Sequence, residues 1–112
     1  MAHDAQMLKG VLTLLLLQLL TEREDYGYAV VVRLHEAGFG DLMEGTVYPA
    51  LSRLEANGLL ASRLVRSSSG PARKYYAVTE PGRAELTRGQ VAWRELTDAV
   101  ARVLPLPGST LS

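Results

Sequence analysis

Apolar positions change rhythm along this chain. From about residue 5 to 21 they crowd together, and Val11-Leu12-Thr13-Leu14-Leu15-Leu16-Leu17-Gln18-Leu19-Leu20 is almost unbroken. That predicts a helix apolar nearly all round, covered on more than one side. Tyr28, Val31, Val32, Leu34 and His35 then follow with helical spacing up to Gly38, a residue suited to a left-handed stop. A second helix over about 27–37 and a turn through Gly38-Phe39-Gly40-Asp41 are expected. In the segment from Glu44 to Gly58, Val47, Leu51 and Leu54 share one face, and Asn57-Gly58 supplies the stop. Pro49 is tolerable in the first turns of this third helix, where its missing N–H goes unused. The opposite face carries Tyr48, Pro49, Ser52, Arg53 and Ala56, uncharged apart from one arginine.

After Leu59-Leu60 the period shortens. Ala61–Arg66 and Arg73–Val78 read as two strands around Ser67-Ser68-Ser69-Gly70-Pro71-Ala72, a β-hairpin with a flexible tip. Thr79 then suits an N-cap, with Glu80-Pro81 in a first turn. This last helix is expected to reach about Leu104, ahead of Pro105-Leu106-Pro107. Leu86, Gly89, Trp93, Leu96, Val100 and Val103 recur along it every three or four residues, as in a coiled-coil seam. A helix of roughly 25 residues spans about 38 Å, more than a small core can cover. A homodimer is therefore expected, with Leu12, Leu15 and Leu16 of the first helix and Leu86, Trp93, Leu96, Val100 and Val103 of the last at the interface.

The 112 residues suit one compact body and leave little room for a second. Twelve basic and twelve acidic residues cancel, but they are not mixed evenly. Leu20–Gly45 carries a net charge of −4, and Ala50–Thr79 a net charge of +4. Phosphate is expected at the second stretch only. The absence of cysteine excludes disulfides, thiolate nucleophiles and Cys-type zinc sites, and it suits a reducing cytoplasm.

Other chemistries find little support. The apolar N-terminal run lacks the flanks of a signal peptide and has half the length of a membrane span, which needs about 20 apolar residues. A cytoplasmic protein with no membrane partner is expected. His3 and His35 are isolated, with no second ligand at helical spacing except exposed carboxylates, so no metal or other cofactor is expected, and His35 reads as helix surface. Gly38-Phe39-Gly40 and Gly45 imitate a dinucleotide fingerprint, but the third glycine is misplaced and no strand precedes it. Nothing marks a pocket or nucleophile beside the acidic residues, so an enzyme is not expected.

Three helices followed by a hairpin is the order of a winged helix-turn-helix. Tyr26-Gly27-Tyr28, Glu44-Gly45-Thr46-Val47-Tyr48-Pro49-Ala50-Leu51-Ser52-Arg53-Leu54-Glu55, Gly58-Leu59-Leu60, Gly70–Tyr76 and Thr79-Glu80-Pro81-Gly82-Arg83 stand in one order. Together they resemble the PadR family of bacterial transcriptional regulators, over about residues 7–104 and in its short form with a single C-terminal helix. The twelve-residue Glu44–Glu55 run is the specific part. Two positions depart from the family: Asp25-Tyr26 replaces a small or basic residue before the glycine, and Ala77 stands where arginine is frequent.

The resemblance implies a mainly α fold with a small β-hairpin: a winged helix-turn-helix DNA-binding domain over residues 1–78, a dimerisation helix over 79–104 and a flexible tail over 105–112. The third helix would enter the major groove of double-stranded DNA through Thr46, Tyr48, Pro49, Ser52 and Arg53, and the hairpin would follow phosphates through Arg66, Arg73 and Lys74. Replacing Arg73 and Lys74 together by alanine is expected to lower the salt slope of binding by about two. Arg63 is expected to pair with Glu55. In small family members a tryptophan at the dimer interface lines a pore for flat aromatic drugs, so Trp93, Leu96 and Val100 are candidates for a small aromatic or apolar effector. The implied function is a cytoplasmic homodimeric repressor on a near-palindromic operator, released by such a ligand. The alternative is a winged-helix protein-interaction module without DNA binding.

Overall fold

A computed structural model describes residues 4–105 of the chain. The readings of His3 and of the tail beyond Pro105 lie outside those residues. The elements run α1 (Ala5–Glu22), β1 (Asp25–Tyr26), α2 (Gly27–Glu36), α3 (Glu44–Ala56), β2 (Leu60–Ser67), β3 (Gly70–Val78) and α4 (Glu80–Val103). The fold is mainly helical, with a small antiparallel sheet in the order β1-β3-β2 and a long C-terminal helix. Among the described residues no helix is long and apolar enough to cross a membrane.

Local chemistry sets most helix ends. Asp4 caps α1, its carboxylate accepting from the N–H groups of Gln6 and Met7 at 2.9 and 3.2 Å. The two middle helices end alike. Phe39 N–H donates to Leu34 and Gly38 N–H to His35, as Leu59 donates to Leu54 and Gly58 to Glu55. These are paired Schellman closures, and they place Gly38 at φ 105° and Gly58 at φ 76°. Thr79 caps α4, accepting from Gly82 N–H at 3.1 Å while its hydroxyl donates to the Gly58 carbonyl at 2.7 Å.

The core lies where α1, α2, α3 and the sheet meet. Leu16, Leu17, Leu34, Leu51, Val30, Val31 and Val47 are fully buried there. Leu12, Leu16 and Leu86, expected in the seam between chains, belong instead to this chain's own core. The first turns of α4 lie against α1, with the Gly89 backbone close to Leu14 and Gln90 bonded to Gln18, so these side chains are used within the chain. Leu15 is partly buried. Trp93, Leu96, Val100 and Val103 are exposed, from 43% for Val100 to 85% for Val103.

Other expectations are corrected. The hairpin has no six-residue flexible tip, because the strands continue to Ser67 and Gly70, pair there, and leave only Ser68-Ser69 between them, with an irregularity between Val65 and Ser67. Strand β1 has only two residues, too few to show a period, and it pairs with Tyr75 and Tyr76 of β3. Pro49 lies in the second turn of α3, where its nitrogen has no proton for the Gly45 carbonyl. His35 is not free surface: it is half-buried, and its Nε2 lies 2.7 Å from the Leu42 carbonyl, tying α2 to the turn before α3.

Candidate nucleic-acid interface

Helix α3 turns Val47, Ala50, Leu51 and Leu54 into the core. Geometry then leaves Thr46, Tyr48, Pro49, Ser52, Arg53 and Ala56 exposed on the other side. Arg53 forms no ion pair among the described residues. The face offers the hydroxyls of Thr46, Tyr48 and Ser52, a proline ring and one guanidinium, a set able to meet base edges and phosphates.

Beside it, the N-terminus of α2, helix α3 and strand β3 enclose a cleft of about 380 Å³. Tyr26, Tyr28, Tyr48 and Tyr76 line it together with Arg73 and Lys74. Gly27 explains the first of these motifs. A Cβ there would sit 2.8 Å from Tyr48 Cε1, so the Tyr48 ring lies directly on the glycine. Tyr48 is thus partly a packing residue, although it remains 41% exposed. Burial, then the charge of Glu44, pushes its phenol above the ordinary range, so it stays protonated and can donate.

Behind the cleft, strand β1 is held by a half-buried arginine. Arg33 donates to the Leu19 carbonyl at 2.7 Å, to Glu22 at 3.3 Å and to Asp25 at 3.4 Å. Asp25, itself buried, accepts the Tyr26 N–H at 3.1 Å. The end of α1 therefore fixes β1, and β1 presents Tyr26 to the wing. There the Tyr26 and Tyr75 rings lie 5.3 Å apart, and the Arg73 guanidinium lies 4.5 Å from the Tyr26 centroid.

The ion pairs differ from those expected. Arg63 pairs with Glu24, not Glu55. Glu55 instead takes Lys74, at 2.9 Å, and the Ser62 hydroxyl. Ser62 first, then Lys74, lowers the Glu55 carboxyl below the ordinary glutamate range. Among the described residues the cations without a carboxylate partner in this region are Arg53, Arg66 and Arg73. The positive stretch read from the sequence is therefore partly neutralised in space. Sequence reasoning missed Tyr26 and Tyr28 as cleft residues, though the Tyr26-Gly27-Tyr28 motif carried the signal for both.

A second region lies on α4. Trp93, Leu96 and Val100 line a groove of about 570 Å³ whose other wall is the start of α1, at Met7, Gly10 and Val11. Trp93 also borders a smaller apolar cavity of about 260 Å³ that reaches Phe39, in the turn before α3. Among the described residues no cluster of three or more metal-ligating side chains forms.

Comparison with known proteins agrees with this geometry. Residues 16–88 match the Transcriptional regulator PadR-like family. A transcriptional regulator of Mycobacterium tuberculosis is 40% identical over 79 residues, covering 70% of this chain and 72% of the relative. The crystal structure of a PadR-like transcriptional regulator from Bacillus cereus superposes with a TM-score of 0.81 at 36% identity, over 91% of this chain and 99% of that one. A PadR family transcriptional regulator from Eggerthella lenta gives 0.82 at 37% identity, over 89% and 87%. These relatives are named as transcriptional regulators, not enzymes.

Proposed function

Because the chain belongs to the PadR-like family of transcriptional regulators, we propose that it is a cytoplasmic homodimeric repressor of double-stranded DNA with a near-palindromic operator. The observation that carries this reading is the juxtaposition of the exposed α3 face, with Arg53 unpaired, and a wing whose Arg66 and Arg73 have no carboxylate partner. In this account residues 1–78 form the DNA-binding part. Thr46, Tyr48, Pro49, Ser52 and Arg53 face the major groove, and Arg66 and Arg73 the adjacent backbone. Helix α4 joins two copies through Trp93, Leu96, Val100 and Val103, with Leu15 behind them. Four large apolar side chains exposed on one helix are what such an interface would cover.

A planar apolar ligand would stack on Trp93 beside Leu96 and Val100. It would release DNA by favouring a dimer whose recognition helices are wrongly spaced. Quenching of Trp93 fluorescence by aromatic compounds, together with loss of DNA affinity, checks that step.

Selection from a random pool of duplex DNA with the purified protein tests the function itself. Enrichment of an inverted repeat with half-sites about one helical turn apart is expected. The pairing of Arg63 with Glu24 and of Lys74 with Glu55, and the zero net charge, favour a second reading, a winged-helix protein-interaction module. Absence of any enrichment at low salt would select it.

A further inference from the structure

Arg73 and Lys74 leave β3 on opposite faces, and although both border the tyrosine cleft, only Lys74 has a carboxylate beside it. On β3, Tyr76 and Val78 are buried while Tyr75 and Ala77 are half-covered. Lys74 shares the face of Tyr76 and Val78, which is turned toward the helices. Across the ladder that face continues through Leu60, paired with Val78, and Ser62, paired with Tyr76. Glu55, in the last turn of α3 and two residues past Arg53, meets it there. The carboxylate accepts from the Ser62 hydroxyl, and its Oε1 lies 2.9 Å from Lys74 Nζ. Lys74 is also 5.3 Å from the Tyr76 ring centroid. Helix α3 and both hairpin strands are thus joined at one side chain.

We propose that Glu55 is the positioning residue that ties the wing to the recognition helix and reserves Lys74 as a strut, leaving Arg66 and Arg73 as the wing's phosphate contacts. The inference rests on the DNA-binding reading above. A cation whose charge a neighbouring carboxylate already balances releases little on meeting a phosphate, so it adds little to the counterion release that sets the salt dependence of binding. A cation set free does enter it, and it does so for every sequence alike. Glu55 therefore keeps one charge out of non-specific binding while holding Arg53 and the wing in a fixed relation.

The test is the dependence of affinity on salt, read by fluorescence anisotropy on a selected duplex and on a scrambled one. Arg73→Ala lowers the slope of log K against log salt by about one, and Lys74→Ala leaves it unchanged. Glu55→Gln raises the slope by about one and narrows the preference for the selected duplex. Adding Lys74→Ala to Glu55→Gln returns the slope to the wild-type value, which a merely misfolded protein would not do. A slope lowered by about one in Lys74→Ala overturns the proposal, as does an unchanged slope and preference in Glu55→Gln. Should Glu55→Gln fail to fold, the Lys74→Ala slope decides alone. Failure of the underlying reading looks different: the wild type then binds neither duplex at low salt, and the proposal falls with it.

Discussion

Gly82 fixes how the long helix leaves the body, and Gly82→Ala perturbs that junction alone. A Cβ at this position would lie 2.1 Å from the Leu59 carbonyl oxygen and 2.8 Å from Val78 Cγ1. The near edge of ordinary C···O contact is about 3.3 Å, so the carbonyl or the helix must retreat by roughly 1.2 Å. Neither can do so freely, since the Leu59 carbonyl accepts the Thr79 N–H at 3.2 Å and Gly82 N–H is bound by the Thr79 hydroxyl. Overpacking costs about 1–3 kcal/mol, and a backbone obstacle argues for the upper end. Alanine recovers at most about 1 kcal/mol of helix propensity, so a net loss of about 2 kcal/mol is expected. Urea denaturation followed by circular dichroism should show the midpoint falling by roughly 1 M, for a slope near 2 kcal/mol per molar. Gly45→Ala is the control: nothing lies within 4 Å of its Cβ, and a gain of up to about 1 kcal/mol is expected. A Gly82→Ala protein as stable as the wild type would refute the close approach of α4 to Leu59.

Three further outcomes follow from the same contacts. Thr79→Ala removes a cap that bonds both Gly82 and Gly58, and a loss of about 1–2 kcal/mol in urea denaturation is expected. Arg33→Met leaves buried Asp25 with the Tyr26 N–H and a single cation, the exposed Arg23 at 3.5 Å; a cost of about 3 kcal/mol is expected from a broken buried pair, and a change below about 0.5 kcal/mol would contradict the network. Leu96→Asp places a charge on the exposed α4 face without touching the core, so light scattering should report the monomer mass with helical content retained.

The Glu55 tie also carries a pH signature. Its carboxyl is depressed in the folded protein, so its contribution is complete above the ordinary glutamate range and is lost as pH falls through the lower folded value. The protection factors of the β2–β3 ladder, with the intrinsic exchange rate at each pH divided out, should therefore fall in acid below the ordinary glutamate range, and Lys74→Ala should weaken that dependence.

What could be read beforehand was what neighbours in sequence decide. The stops at Gly38 and Gly58, the cap at Thr79 and the apolar face of α3 each depend on residues within one or two turns, and each lies where the periodicity places it. Strand β1 escaped because two residues show no alternation and its pairing with Tyr75 and Tyr76 comes from distant chain. The same holds for charge. Glu55 was matched with Arg63, yet the pleat turns Lys74 toward α3 and leaves Arg63 to Glu24, a distinction available only once the register of the hairpin is known. Leu12, Leu16 and Leu86 show the complementary error. An apolar seam read along one helix does not reveal how much of it the chain's own helices consume.

The most direct measurement is the affinity of the wild-type protein for a selected duplex and for its scrambled counterpart at two salt concentrations. The account predicts tighter binding to the selected duplex at both, by about a thousandfold or more, with both affinities falling steeply as salt rises. Equal affinity for the two duplexes, or binding indifferent to salt, would contradict sequence-selective recognition by α3 and the wing.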